Sequence, residues 1–138
     1  MIGGLFDRTI DLLGNSLDLR AARQKLLSSN IANQETPGYR AVDIKFEDEL
    51  RKKEAASNGQ AGMTLARTSA LHIPGVSGIA GEPAVIDRAT DIEGYDMNSV
   101  GIEGEMVRLS ENSLMYATSA KMLKSKFNIL MAAIREGR

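Results

Sequence analysis

The chain has 138 residues, with 17 Lys or Arg against 18 Asp or Glu and a formal net charge of −1. That length suits one domain, and so balanced a charge provides no basic face for nucleic acid. The absence of cysteine excludes disulfides and thiolate chemistry, and 4% aromatic content without Trp leaves little material for a large central core.

The first predicted element, within residues 1–36, is a helix from about Ile2 to about Gln34. Leu5, Leu12, Leu19 and Leu26 recur every seven residues, with Phe6, Ile10, Leu13 and Leu17 as a flanking stripe. Asp7, Arg8 and Asp11 interrupt the apolar start, and no cationic start or cleavage site accompanies it, so no secretory signal peptide is expected. No stretch approaches the roughly 18 uninterrupted apolar residues of a membrane span. Pro37 disfavours helical geometry at Thr36, which stops the helix. Pro37-Gly38 predicts a turn, because Pro presets φ at the first central position and Gly accepts positive φ at the second.

The middle segment, 37–99, holds all three prolines, and residues 34–99 carry eleven acids against seven bases. Val42, Ile44 and Phe46 alternate with Asp43 and Lys45, the period of a half-buried strand. Over 47–56, Glu47, Asp48 and Glu49 each precede a base by four residues (Arg51, Lys52, Lys53), the favourable order on a helix. Ser57 to Gly62 reads as a loop. Met63–Thr68 and Ala84–Ile86 are expected as short strands, with Gly75, Gly78 and Gly81 in loose turns between them.

The last element, 100–138, carries a long helix starting near Gly101. Ile102, Met106, Leu109, Ser113, Tyr116, Ala120, Leu123, Phe127, Leu130 and Ile134 follow alternating steps of four and three, averaging 3.5 residues. That period keeps one seam facing a partner helix in a coiled coil. Early acids (Glu103, Glu105) and late bases (Lys121, Lys124, Lys126, Arg135) suit the helix dipole. Gly104 weakens the start by about 1 kcal/mol relative to Ala. The expected fold is mainly α, with long terminal helices and a small, irregular, β-containing middle. Apolar stripes at both ends with so little between them predict a chain that buries much apolar surface against other subunits.

Chemistry is hard to find. His72 is the single histidine and reads as a hydrogen-bonded loop residue; Glu47-Asp48-Glu49 reads as a solvated, salt-bridged face, since adjacent helical residues diverge. No compact spacing of carboxylates suggests a metal site. The Gly75–Gly81 run lacks the Lys of a P-loop and opens no helix. We expect no catalytic residues, no cofactor, no metal and no small-molecule substrate; the chain is not expected to be an enzyme.

The string Ser29-Asn30-Ile31-Ala32-Asn33-Gln34-Glu35-Thr36-Pro37-Gly38-Tyr39 resembles the N-terminal signature of bacterial flagellar axial proteins, the rod and hook family. Ser29, Asn30, Ala32, Asn33, Thr36, Gly38 and Tyr39 fit the shared pattern. Asp43 to Glu47, Leu71-His72-Ile73, Asn98-Ser99-Val100, Met106, Glu111-Asn112, Tyr116, Lys126-Phe127 and Ala133 to Arg135 continue the match in order. The resemblance implies a structural role in the motility machinery. Such subunits are exported unfolded through the flagellar type III apparatus, without a cleaved signal, and polymerise into a helical rod across the periplasm as part of the basal body. It further implies terminal helices paired as a coiled coil in a core layer, with the middle outside it. The implied partners are other copies, other rod proteins, and the basal-body junction protein and export gate at the rod base. Asn30 and Asn33 would bond an adjacent subunit or their own helix end, Thr36-Pro37-Gly38 would turn the chain outward, and Tyr39 would pack beside the helices. The family pattern favours an acid near 101, where this chain has Gly101, which predicts a frayed start to the last helix. The competing expectation is an adaptor or export chaperone whose coiled coil grips one client.

Overall fold

A computed structural model of the chain describes residues 3–57, 83–88 and 97–136. The expected Met63–Thr68 strand, the turns at Gly75, Gly78 and Gly81, and His72 lie outside the described residues. The elements are α1 (Gly3–Ala32), β1 (Val42–Ile44), α2 (Phe46–Ser57), β2 (Val85–Asp87) and α3 (Ile102–Glu136).

α1 and α3 lie antiparallel along each other. Asn30 of α1 meets Glu105 near the start of α3, and Arg20 and Gln24, further back in α1, meet Asn112 one heptad on. β1 and β2 form a two-stranded antiparallel sheet in which Val42 faces Asp87 and Ile44 faces Val85. α2 packs on α1, with Arg20 lying over the Phe46 ring at 4.3 Å and Arg8 reaching Glu54 at 3.1 Å. The second of these contacts is exposed and contributes little.

The early turns follow local chemistry. Phe46, expected as the end of a strand, instead opens α2, whose first turn carries Glu47, Asp48 and Glu49 against the helix dipole. The alternation expected across β1 also fails: Asp43 is as buried as Ile44, at 5% and 4% exposure. The reason is a partner rather than a period, since Arg23 of α1 binds both carboxylate oxygens of Asp43 at 2.7 and 2.8 Å.

The interior is unusually polar. Among the described residues the buried apolar side chains are Leu19, Leu27, Ala41 and Ile44, while Ser16, Asn30, Asp43, Glu49, Asn98, Glu105 and Asn112 are equally enclosed. The face of α3 that meets α1 accounts for part of this. It runs through Glu105, Leu109, Asn112, Ser119, Leu123, Lys126 and Leu130, all buried or half-buried. Leu109, Leu123 and Leu130 belong to the expected seam. The alternate seam positions do not turn inward: Met106, Phe127 and Ile134 are 58%, 49% and 69% exposed, and Ile102 and Tyr116 are also exposed. Ser113 is exposed and Ala120 half-buried. Within the chain, α1 covers one edge of the seam and leaves the other edge open.

Candidate functional site

The residues of the signature build a joint where α1 ends. The last carbonyls of a helix lack partners within it and need outside donors. Here the Asn33 N–H bonds the Ser29 and Asn30 carbonyls, and the Asn33 side-chain amide adds a second donor to Ser29 at 2.8 Å. The Thr36 N–H bonds the Asn33 carbonyl, and its hydroxyl reaches Asn33 Oδ1 at 3.3 Å. Pro37 and Gly38 then occupy the centre of a turn closed by the Tyr39 N–H on the Thr36 carbonyl, with Gly38 at φ 70. This is the turn that the Pro-Gly pair predicts.

Asn98 closes the same helix end from a distance. Its side-chain amide fans across the carbonyl oxygens of Asn33, Gln34 and Thr36 at 3.0, 2.8 and 2.8 Å. Its Oδ1 accepts from the Val100 N–H, Ser99 N–H bonds the Tyr39 carbonyl, and Ser99 Oγ accepts from Ala41 N–H. Met97, just before, holds a left-handed φ of 58, a conformation that costs a side-chain-bearing residue roughly 1–2 kcal/mol. The strap 97–100 is therefore pinned to the end of α1 before α3 begins.

Asn30, with no exposed surface, is the hub. Its Oδ1 accepts from the Val42 N–H at 3.1 Å and its Nδ2 donates to the Val42 carbonyl at 2.8 Å, so one side-chain amide pairs with β1 as a neighbouring strand would. The same Nδ2 donates to Glu105 Oε2 at 2.9 Å, and the Tyr39 hydroxyl donates to Asn30 Oδ1 at 3.3 Å. Glu105, 1% exposed, also accepts from Arg88 beside β2 and from Arg108 Nη1 at 2.8 Å. A buried carboxylate with two guanidinium partners and an amide is satisfied rather than stranded. It ties α1, β2 and α3 to one point, and this tertiary anchor holds the first turn of α3 that Gly101 caps only through its carbonyl.

A second charged pair sits beside this hub. Burial alone would push the Asp43 carboxyl up, but the Arg23 hydrogen bonds, the Ile44 N–H and the charges of Arg23 and Arg88 outweigh it and hold it below the usual carboxylate range. Arg23 is correspondingly held above its ordinary value, first by the hydrogen bond to Asp43. Arg20 moves the other way, lowered by burial and by the neighbouring Arg23 charge.

The structure thus brings Asn30, Asn33, Thr36 and Tyr39 into one network, with Pro37 and Gly38 shaping its exposed turn and Ala32 exposed at its side. The bonds of Asn30 run to the Tyr39 hydroxyl, to β1 and to α3, and those of Asn33 to its own helix end, the turn that follows and Asn98. Glu105, Arg88, Arg23, Asp43 and Asn112 were not expected at the site, although Asp43 and Asn112 lie in stretches that continue the family resemblance. One signal was present for two of them: Glu105 and Asn112 stand seven apart, a polar file alongside an apolar one. Among the described residues no three His, Cys, Asp or Glu side chains are grouped to hold a metal ion, and no helix is long and apolar enough to cross a membrane. A cavity of about 420 Å³ between α2 and β2, lined by Lys45, Asp48, Glu49, Arg51, Lys52, Ala84 and Ile86, is walled mainly by charged side chains.

Residues 10–40, which contain this joint, match the family described as flagella basal body rod protein. The chain is 37% identical over 123 residues to the flagellar basal body rod protein FlgB of Yersinia enterocolitica, covering 88% of this chain and 90% of that one. It is 35% identical over 134 residues to FlgB of Salmonella typhimurium and 33% identical over 132 residues to FlgB of Escherichia coli, covering 95% of this chain and 96% of theirs in both cases.

Proposed function

This chain belongs to the FlgB family of flagellar basal body rod proteins, and we propose a route and a set of contacts by which it takes its place in the rod. It is a structural subunit of the basal body rod and not an enzyme. In our reading it travels through the flagellar type III apparatus without a cleaved signal and joins the rod that crosses the periplasm. It polymerises through its terminal helices, meeting other copies and other rod proteins along the rod and the basal-body junction protein and export gate at its base. The signature residues Asn30, Ala32, Asn33, Thr36, Pro37, Gly38 and Tyr39 serve assembly by fixing the angle at which the middle segment leaves the helical pair.

One observation carries this reading. α3 exposes large apolar side chains on every side that α1 leaves uncovered: Met106, Phe127 and Ile134 on one flank, Met115, Met122 and Ile129 on the other, Val107 and Leu114 opposite α1. So many large apolar side chains exposed along one helix belong against protein, even with Lys121, Lys124 and Arg135 among them, and this chain supplies only one covering helix. The rest of the cover comes from neighbours.

Amide hydrogen exchange tests it, comparing the purified subunit with the same chain in isolated basal bodies. Slow exchange along the whole of 102–136 is expected in the basal body, against fast exchange in the free subunit beyond Asn112, where the joint no longer holds the helix. Equal protection in both states would refute assembly through α3.

A further inference from the structure

Methionine is a soft, apolar side chain that ordinarily fills gaps in a core. This chain uses it the other way round. Five of its seven methionines, Met97, Met106, Met115, Met122 and Met131, fall among the described residues, and each is more than half exposed, at 63%, 58%, 52%, 56% and 51%. None belongs to the interior, whose buried apolar side chains are Leu19, Leu27, Ala41 and Ile44. Four of the five lie on α3. Met115 and Met122 stand about two turns apart on one open flank, and Met106 and Met131, about seven turns apart, share the other.

We propose that Met106, Met115, Met122 and Met131 form a reversible oxidation site on α3, where a peroxide turns thioethers into sulfoxides and bars the free subunit from the rod without unfolding it. This rests on the reading that neighbours cover α3 in the rod. The chain has no cysteine to take the oxidant first. Each thioether sulfur attacks one oxygen of hydrogen peroxide, so that an S–O bond forms as the O–O bond breaks. Sulfur gives up two electrons, and the other oxygen leaves as water with both hydrogens. A methionine sulfoxide reductase reverses the step with two thiols, which become a disulfide while the oxygen departs as water. Placement separates the effect on assembly from the effect on folding. On a free subunit the new oxygen accepts from water and disturbs nothing packed beneath it. Under a neighbour it must give that water up, and two such oxygens on each flank oppose the contact. The interior meanwhile rests on the Asn30–Glu105 network, which contains no thioether. Cover by neighbours then shields the same sulfurs, so oxidation selects among subunits before they assemble.

The test treats the free subunit and isolated basal bodies with hydrogen peroxide over a time course, followed by peptide mass spectrometry. In the free subunit Met106, Met115, Met122 and Met131 are expected to gain about 16 Da each, one oxygen, at the pace of Met97, with the urea midpoint unmoved. In the basal body the four should oxidise far more slowly. A variant combining Met106→Gln, Met115→Gln, Met122→Gln and Met131→Gln sets a polar carbonyl where the sulfoxide oxygen would stand. A matching set of four Leu substitutions keeps the flanks apolar and beyond oxidation. Both replacements are good helix formers at exposed positions, so the fold is retained. Immunoblots of basal bodies from cells carrying each set should find the Gln chain depleted relative to the Leu chain. Equal incorporation of the two would overturn the proposal, as would a urea midpoint that falls on oxidation. Oxidation as fast in the basal body as in the free subunit would instead refute the cover of α3 beneath it. Far-UV circular dichroism shows whether the fourfold Gln chain has lost its fold, and in that case the Met106/Met131 and Met115/Met122 pairs are substituted separately and judged by the same blots.

Discussion

Replacing Asn30 by Ala isolates the hub of the joint. The side chain is fully buried and makes four contacts: both backbone groups of Val42, Glu105 and the Tyr39 hydroxyl. The two bonds to Val42 are worth about 1 kcal/mol each, and the charge-assisted one to Glu105 about 1.5–3 kcal/mol. The Tyr39 contact is long, and its half-buried residue can turn to water, so it adds little. The loss should total about 4 kcal/mol, a large share of the roughly 5–15 kcal/mol that holds a domain together. Urea unfolding of the free subunit, followed by far-UV circular dichroism, should show a midpoint lower by about 2 M for a slope near 2 kcal/mol per molar. Asn30→Asp sharpens the test. It keeps the acceptor for the Val42 N–H but loses both donated bonds and sets a second carboxylate against Glu105. At neutral pH it should be the worse of the two, and it should recover relative to Asn30→Ala in acid, as the introduced carboxylate takes up a proton. A loss below about 1 kcal/mol for Asn30→Ala, or Asn30→Asp tolerated equally well at neutral pH, would refute the hub.

Three further outcomes follow from the same geometry. Gly38→Ala places a side chain at φ 70 and should cost about 1–2 kcal/mol, with Gly38→Asn costing less; comparison of their urea midpoints checks the turn. The depressed Asp43 carboxyl contributes stability that is present above its unfolded value, near pH 4, and fades as pH falls through its lower folded value. Asp43→Asn should remove that part of the acid dependence in a pH series of unfolding curves, and by stranding Arg23 should lower neutral stability by about 3 kcal/mol. Gly104→Ala should stabilise by about 1 kcal/mol. A Cβ there meets only the tip of the Arg108 side chain, at 3.4 Å. A lower urea midpoint for this variant would contradict a helical start to α3.

What could be read from the sequence was whatever chain neighbours decide between themselves. Pro37 and Gly38 settle their turn locally, and Thr36 ends a helix because of the residue that follows it. The seven-residue files of α1 and α3 likewise declare long helices. Partner choice is different in kind. Asn98 caps a helix end more than sixty residues upstream, and Asn30 meets Glu105 across 75. No period marks such a pair, because a buried polar side chain is defined by its opposite number rather than by its spacing. Asp43 shows the limit most clearly: read by alternation it faces solvent, and only Arg23 brings it inside. The α3 seam is intermediate. Its period is plain in the sequence, but a helix apolar on several sides does not say which side its own chain will take.

The division between a hydrogen-bonded interior and the exposed apolar flanks of α3 gives the two kinds of contact opposite responses to temperature. Burial of apolar surface near room temperature is driven by entropy and weakens on cooling. The amide and carboxylate contacts around Asn30 and Glu105 do not share that origin. With the rod assembled through α3 as proposed, cold should loosen those contacts while the joint within each subunit persists, so that a chilled rod comes apart into folded pieces rather than into unfolded chains.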